Sequence, residues 1–375
     1  MTKDNLRTSL KIILVLTAVY FFLVSIGLMG AAFKGFGKGF AENLIKTTSN
    51  PFVGLFIGIL ATSLVQSSST TTSIVVGIVG SGALGMTNAI PIIMGANIGT
   101  TVTNTLVSMG HIGRREEFKR AITGGTVHDF FNIMCVCIMF PLELTFGVLS
   151  KTALWMSSIF VNIGGIKFTS PIKLATKPVI HFLKYLVVKM GAANDIVHII
   201  LLSISIILLF LSLYFIVKLM RSLVVKRTEI VLNNVIGKHA IAAIFVSLIF
   251  TTIVQSSSIT IALMIPLIAA GILTVETMFP LIMGANIGTT TTAILASFAT
   301  GNIAAITVAF VHFLFNVIGV CFIYPVKALR QIPIKLAKNL GNLAFKKRRY
   351  VFIYVLTLFF IIPGLLIFIS KVLDK

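Results

Sequence analysis

The sequence predicts an all-α integral membrane protein made of two inverted-topology repeats, with re-entrant helical hairpins and broken transmembrane helices. Three observations carry that expectation. Hydrophobic residues fill 57% of the 375 positions and charged residues only 11%, whereas soluble domains are roughly a quarter charged. Four apolar runs, 11–33, 196–217, 303–326 and 350–370, are long enough to cross a hydrocarbon core, which needs about 20 helical residues. Two polar motifs also occur twice, in the same order and at the same spacing.

Residues 1–50 read as an N-terminal transmembrane helix and its connection. This first run is expected to remain in the protein, because no small-residue cleavage site follows it and Phe33, Lys34 and Gly35 lead into more membrane sequence. Residues 51–150 form the first repeat, with TSLVQSSSTTT at 62–72 and PIIMGANIGTTVT at 91–103. Residues 151–238 are a linker with one transmembrane helix. Residues 239–326 form the second repeat, with TTIVQSSSITI at 251–261 and PLIMGANIGTTTT at 280–292, so that Gln66 recurs as Gln255 and Pro91 as Pro280, 189 residues later in each case. Later in the repeat the spacing shortens to 184: His128 and Asn132 recur as His312 and Asn316, and Phe140-Pro141 as Tyr324-Pro325. Residues 327–375 are a basic connection and a C-terminal transmembrane helix.

The five missing residues fall in an informative place. The first copy has HIGRREEFKR at 111–120, with four Lys or Arg, and the second has the uncharged GNIAAI at 301–306. Parallel copies would put both loops on one side, whereas inverted copies put one in the cytoplasm and one outside, which accounts for the charge difference. The expected topology has a cytoplasmic N-terminus, seven full spans, and hairpins at 51–80 and 240–271 that enter and leave on one side. Inside segments then hold 20 of the 31 Lys and Arg. This orientation suits a multi-pass protein of the plasma (inner) membrane, with the lipid bilayer as its solvent. The net charge of +21 sits in loops, without a basic stripe interleaved with aromatics, so nucleic acid is not an expected partner. Cys135, Cys137 and Cys321 lie in apolar runs with no metal-ligand spacing and read as buried small side chains.

Polar, glycine-broken sequence at membrane depth is tolerated where it lines a cavity or packs within protein. Gln66-Ser67-Ser68-Ser69 and Gln255-Ser256-Ser257-Ser258 interrupt apolar sequence in the two hairpins. At such a tip one half-helix ends in carbonyls and the next begins with N–H groups. The N–H end attracts anions, and carbonyls with Ser, Thr and Gln oxygens suit a small hard cation. In Gly95-Ala96-Asn97-Ile98-Gly99-Thr100-Thr101 and Gly284-Ala285-Asn286-Ile287-Gly288-Thr289-Thr290, two glycines four apart are expected to permit an unwound turn that Asn caps. Paired interrupted helices in matching positions of two inverted halves point to a transporter's substrate site. The plain alternative is that these small residues serve helix packing. No Asp, Glu, Lys or Arg occurs from Pro51 to Gly110, and Glu276 is the only one from Ala240 to Pro325. A bound cation and anion would therefore neutralise each other where either alone would be costly. Asp129 is the exception, an acid well inside a span whose counterpart is Phe313. An intramembrane acid is by default functional. His128 and His312 read as satisfied core histidines, with proton relay as the alternative.

The paired QSSS and GANIGT motifs, with FKRAITGGTVHDFFN after the first, closely resemble the type II sodium-dependent phosphate cotransporter family over about residues 45 to 345. That resemblance implies a non-enzymatic secondary active transporter, coupling sodium influx to uptake of inorganic phosphate by alternating access. It implies no cofactor other than sodium as coupling ion. It implies phosphate binding at Gln66, Ser67, Ser68, Ser69, Asn97, Gln255, Ser256, Ser257, Ser258, Asn286 and Thr289. It also implies sodium binding at Gln66, Ser69, Thr100, Thr105, Asp129, Asn132, Gln255, Ser258 and Thr290, with Asp129 matching the acid of electrogenic members. Many animal members have Gln-Ala-Gly-Asp where this chain has His111-Ile-Gly-Arg114, so two side chains proposed for a sodium site there are absent. A carrier of another small anion and an ion channel stay open as alternatives. An intramembrane serine hydrolase lacks the Gly-x-Ser-x-Gly elbow it would need. Monomer and homo-oligomer are both left open.

Overall fold

A computed structural model describes residues 3–162, 171–189, 194–235 and 240–373, and the described residues are helices and short turns with no strand. Seven helical segments are long and apolar enough to cross a membrane: Thr8–Gly35, Met86–His111, Arg115–Phe146, Ile196–Met220, Val275–Thr300, Ile303–Ile323 and Arg349–Val372. These match the seven expected spans.

Helix α1 (Lys3–Gly35) is followed by α2 (Gly37–Thr47), which meets α3 (Pro51–Val65) at 98°. Helix α3 starts where its chemistry directs: the Asn50 side chain accepts from the Phe52 N–H, and Pro51 fills the first position, where no donor is needed. Its 15 residues rise roughly 22 Å, short of a hydrocarbon core of about 30 Å. The chain turns at Gln66 and returns as α4 (Ser68–Ser81). The second hairpin repeats this plan, with α11 (Ala240–Val254) turning at Gln255 into α12 (Ser257–Ala262) and α13 (Ile265–Ala269). Its returning limb breaks just before Pro266, which has no N–H to extend the ladder.

After the first hairpin come α5 (Met86–Gly99), α6 (Val102–Ser108) and α7 (Arg115–Phe146); after the second come α14 (Val275–Thr300) and α15 (Ile303–Ile323). The linker contributes α8 (Val148–Asn162), α9 (Pro171–Lys189) and α10 (Asn194–Val235). Three of the seven spans lie between the start of the first hairpin and the start of the second. Among the described residues this odd number of candidate crossings puts equivalent points on opposite faces, as inverted repeats require. The chain ends with α16 (Lys327–Lys346), α17 (Arg349–Leu356), a π-helical turn over Thr357–Ile361 and α18 (Ile362–Leu373). Pro363 cannot donate to the turn before it, which accounts for the widened turn.

Burial follows this arrangement. Helices α5 and α14 are buried along most of their length, while large apolar side chains such as Phe245, Phe352 and Ile207 are exposed on the outer helices. That exposed apolar surface is what lipid covers. The cysteines depart from expectation: Cys135 is buried, but Cys137 and Cys321 are exposed. Two residues advance a helix by about 200°, so Cys135 and Cys137 lie on nearly opposite faces of α7.

The inversion has a direct test. In a background lacking the three cysteines, Arg115→Cys and Ile303→Cys are expected to react with an impermeant thiol reagent from opposite sides of a sealed vesicle. Reaction of both from one side contradicts inverted repeats.

Candidate functional site

Gln66 and Gln255 sit at the two hairpin tips, with φ of 56° and 57°. Among the described residues they are the only non-glycine residues with positive φ. This left-handed conformation costs an L-residue roughly 1–2 kcal/mol. Finding it at both equivalent positions marks a turn that the surroundings hold in place. Ser67 and Ser256 follow in extended conformation and cap the returning half-helices, accepting from the N–H groups of Thr70 and Ile259.

The tips meet across the repeats. Ser69 Oγ donates to the Gln255 carbonyl at 3.2 Å and lies 3.2 Å from Thr289 Oγ1. Thr100 Oγ1 lies 3.4 Å from Ser258 Oγ. Ser69 and Ser258 are equivalent by repeat, as are Thr100 and Thr289. The same serine–threonine contact therefore forms twice with the repeats exchanged, the signature of a two-fold relation. The Gln66 carbonyl accepts from Thr103 Oγ1 at 3.3 Å.

Near these hydroxyls lies a second reciprocal set made of amides and imidazoles. His128 Nδ1 faces Asn104 Nδ2 at 2.9 Å and Nε2 faces Asn286 Oδ1 at 2.6 Å. An amide nitrogen can only donate, so Nδ1 accepts from Asn104, and Nε2 also lies 3.2 Å from Asn132 Nδ2. Asn286 Nδ2 donates to Asn132 Oδ1 at 2.8 Å. In the mirrored set Asn97 Oδ1 faces His312 Nε2 at 3.3 Å and Asn316 Nδ2 at 3.2 Å. All seven side chains are buried.

Asp129 belongs to a third group on another face of α7. Its Oδ2 accepts from Thr105 Oγ1 at 3.2 Å and from the Tyr354 hydroxyl at 2.9 Å. Among the described residues its buried Oδ1 makes no hydrogen bond. Among the described residues no three His, Cys, Asp or Glu side chains gather as metal ligands. A cation here would meet hydroxyls, amides, carbonyls and one carboxylate.

The sequence pattern of the family described as Na+/Pi-cotransporter matches residues 21–168 and 208–337. The chain belongs to the Na+/Pi-cotransporter family. It is 34% identical to sodium-dependent phosphate transport protein 2A of Ovis aries, over 97% of this chain and 68% of that protein. It is likewise 34% identical to protein 2A of Rattus norvegicus, over 96% of this chain and 68% of that one. For protein 2B of Homo sapiens the identity is 34%, over 94% of this chain and 64% of that protein. The chain thus spans about two thirds of the length of these relatives, and no solved structure matches it.

Of the residues expected from this Na+/Pi-cotransporter resemblance, Ser69, Ser258, Thr100, Thr289 and the Gln255 carbonyl come together at the tips. Ser68 and Ser257 are buried at the first position of their half-helices. Asn97, Asn132 and Asn286 stand in the amide set. Thr105 and Asp129 form the separate group with Tyr354, and Thr290 Oγ1 is turned back on the Ile287 carbonyl of its own helix. Both histidines are hydrogen-bonded core residues. His111 and Arg114 instead approach Glu117 at 3.6 and 2.7 Å, near the start of α7. Tyr354 was not anticipated, because it lies outside the repeats and no motif surrounds it. Asn104 was missed because its second-copy counterpart is Ala293. Its position beside the Thr100–Thr101 turn was the available signal.

The glycine motifs correct a second expectation. Helix α14 runs unbroken through Gly284–Thr290, and in the first copy only Thr100–Thr101 tightens between α5 and α6. Neither segment unwinds, and Asn97 and Asn286 reach into the other repeat instead of capping. The glycines serve close approach. A Cβ on Gly95 would stand 2.0 Å from the Leu55 carbonyl oxygen, and one on Gly284 would stand 2.1 Å from that of Ile244. Each pair lets a hairpin limb lie against its neighbouring span, where Ser247 Oγ also donates to the Leu281 carbonyl. Gly95→Ala or Gly284→Ala is expected to destabilise by about 1–3 kcal/mol, seen as a lowered unfolding midpoint in detergent. Gly110→Ala, with nothing within 4 Å of its added carbon, serves as the near-neutral control.

Proposed function

We propose that the chain is a sodium-coupled inorganic phosphate cotransporter of the plasma (inner) membrane, with its N-terminus in the cytoplasm, working by alternating access. The observation that carries this reading is the reciprocal hydroxyl contact of the hairpin tips, Ser69 with Thr289 and Ser258 with Thr100. The named relatives are sodium-dependent phosphate transporters, and the chain has the family's pattern in both halves.

Phosphate is assigned to the tips, where it exchanges the serine–threonine contacts for its own oxygens. Gln66, Ser67, Ser68, Ser69, Asn97 and Gln255, Ser256, Ser257, Ser258, Asn286, Thr289 supply hydroxyls, amides and half-helix N–H groups. Sodium is assigned to the oxygens of Gln66, Ser69, Thr100, Asn132, Gln255, Ser258 and Thr290, and to Thr105 and Asp129. These oxygens are neutral apart from one carboxylate, so ion and anion compensate each other's charge and travel together. Inverted repeats provide two states of similar energy by exchanging the conformations of the halves. The inequality of the tips, with Gln66 exposed and Gln255 buried, fits one end of such a cycle.

Phosphate uptake into proteoliposomes should require a sodium gradient and be weakly inhibited by sulfate. Equal uptake with a choline gradient contradicts the coupling, and equal competition by sulfate contradicts the substrate.

Asp129 makes a sharper case. A carboxylate at membrane depth holds a cation by weakly screened Coulomb attraction, and its unpartnered Oδ1 is available for one. Three sodiums with divalent phosphate then move net positive charge inward. Asp129→Asn should give slower, electrically silent uptake, read as current and phosphate flux in one preparation. An unchanged charge-to-phosphate ratio in an active variant removes Asp129 from this role.

A further inference from the structure

The base of the second hairpin carries a feature that the tip chemistry leaves unused. A cavity of about 440 Å³ opens there among α7, α14, α16 and the turn after α13, with Lys119, Arg120, Thr123, Glu276, Lys338 and Asn342 on its wall. In the proposed orientation this face is cytoplasmic. Arg120 Nε donates to the Ala269 carbonyl at 2.7 Å, at the end of the hairpin's returning limb. No other bond of this guanidinium is formed among the described residues, so both Nη groups stay uncommitted while the fork is held by its neck. Lys119 Nζ rests over the Phe345 ring at 5.6 Å and meets no carboxylate among the described residues. The wall's one acid, Glu276, is matched by Lys338 at 2.6 Å. Lys119 and Arg120 therefore leave a net positive, partly sheltered wall, with a hydroxyl and an amide alongside.

The first hairpin offers a contrast. Gly80 is the repeat equivalent of Ala269, and its carbonyl accepts from Asn302 Nδ2 at 3.1 Å. Both hairpin bases are thus tied by a side chain of the opposite repeat. One tie is a neutral amide with no fork to offer. The other is an arginine whose remaining donors have the geometry that phosphate oxygens satisfy two at a time.

We propose that this cavity is a second anion site, taking a phosphate group from free inorganic phosphate or from a phosphomonoester lipid headgroup. A bound phosphate would join α7 and α16 to the hairpin base through Arg120, bracing the element that the transport cycle has to move. The proposal does not depend on sodium coupling at the tips.

The test is equilibrium binding of radiolabelled phosphate to the purified full chain in detergent, with choline replacing sodium. Saturable binding near one phosphate per chain is expected. Arg120→Lys, which keeps the charge and loses the fork, should weaken it about tenfold or more. Lys119→Gln, which leaves the Arg120–Ala269 bond in place, should weaken it about fivefold and serves where an Arg120 variant fails to fold. Dioctanoyl phosphatidic acid that displaces phosphate where dioctanoyl phosphatidylcholine does not identifies the lipid as the better source. Failure to displace identifies free phosphate. The proposal is overturned if neither phosphate nor phosphatidic acid binds in choline, or if both variants bind like wild type. It is also overturned if binding is lost in Ser258→Ala instead, which would put it at the tips.

Discussion

Everything in this fold follows from putting two polar half-helix tips inside a medium that cannot hydrate them. Hydrocarbon offers no partner for a backbone carbonyl, so each tip needs one from the protein. The Gln255 carbonyl takes Ser69 and the Gln66 carbonyl takes Thr103. For those hydroxyls to reach, the hairpin limbs must lie almost backbone to backbone against the adjoining spans. The glycine pairs Gly95/Gly99 and Gly284/Gly288 permit this, since a single methyl at any of them would stand within 2.5 Å of a facing carbonyl oxygen. The left-handed glutamines are the residual strain of the arrangement, held in place by the hydrogen bonds their carbonyls accept.

Duplication gives the site its symmetry, and three substitutions break it. Asn104, Thr105 and Asp129 correspond to Ala293, Ile294 and Phe313 in the second copy. The first repeat thereby gains an oxygen cluster where the second has apolar packing. Tyr354 completes this cluster from the last span, just before the π-helical turn. The carboxylate thus stands on one side only of the two-fold axis, and a helix outside the repeats is held to it by a 2.9 Å bond.

The sequence showed the duplicated polar quartets and the lone intramembrane acid Asp129, and missed contacts that no motif announces. Gln66 to Ser69 and Gln255 to Ser258 were legible because a polar quartet cannot continue an apolar helix through hydrocarbon unpartnered, and here it interrupts one twice at one spacing. The seven spans and the inversion were legible from apolar length and the charge difference between 111–120 and 301–306. The glycines were misread because glycine marks both positive φ and close approach, and only the neighbouring chain separates the two. Gly284 sits in ordinary helix and is there for Ile244. Cys137 and Cys321 were misjudged because an apolar run does not say which face meets lipid. Tyr354 and the Arg120–Ala269 tie join residues far apart in sequence with no repeat or spacing to announce them.

The strengths of the contacts indicate which part of the site yields. The hydroxyl pairs at the tips stand at 3.2 and 3.4 Å, at the weak end for O–H···O bonds, whose usual separation is about 2.7–2.8 Å. Neutral hydrogen bonds contribute only about 0.5–1.5 kcal/mol net, and long ones less. The bonds around His128 and Asn286 are shorter, at 2.6 and 2.9 Å to the imidazole and 2.8 Å between Asn286 and Asn132, and buried donors left there without partners would cost about 1–3 kcal/mol each. The corresponding contacts of Asn97 with Asn316, where the donor is reversed, and with His312 are longer, at 3.2 and 3.3 Å, so the two sides of the core are not equally tight. The serine–threonine contacts are therefore the cheapest of these to exchange for another partner. The His128–Asn286–Asn132 chain is thus held by the shorter bonds, and the Asn97–His312 and Asn97–Asn316 contacts by the longer ones.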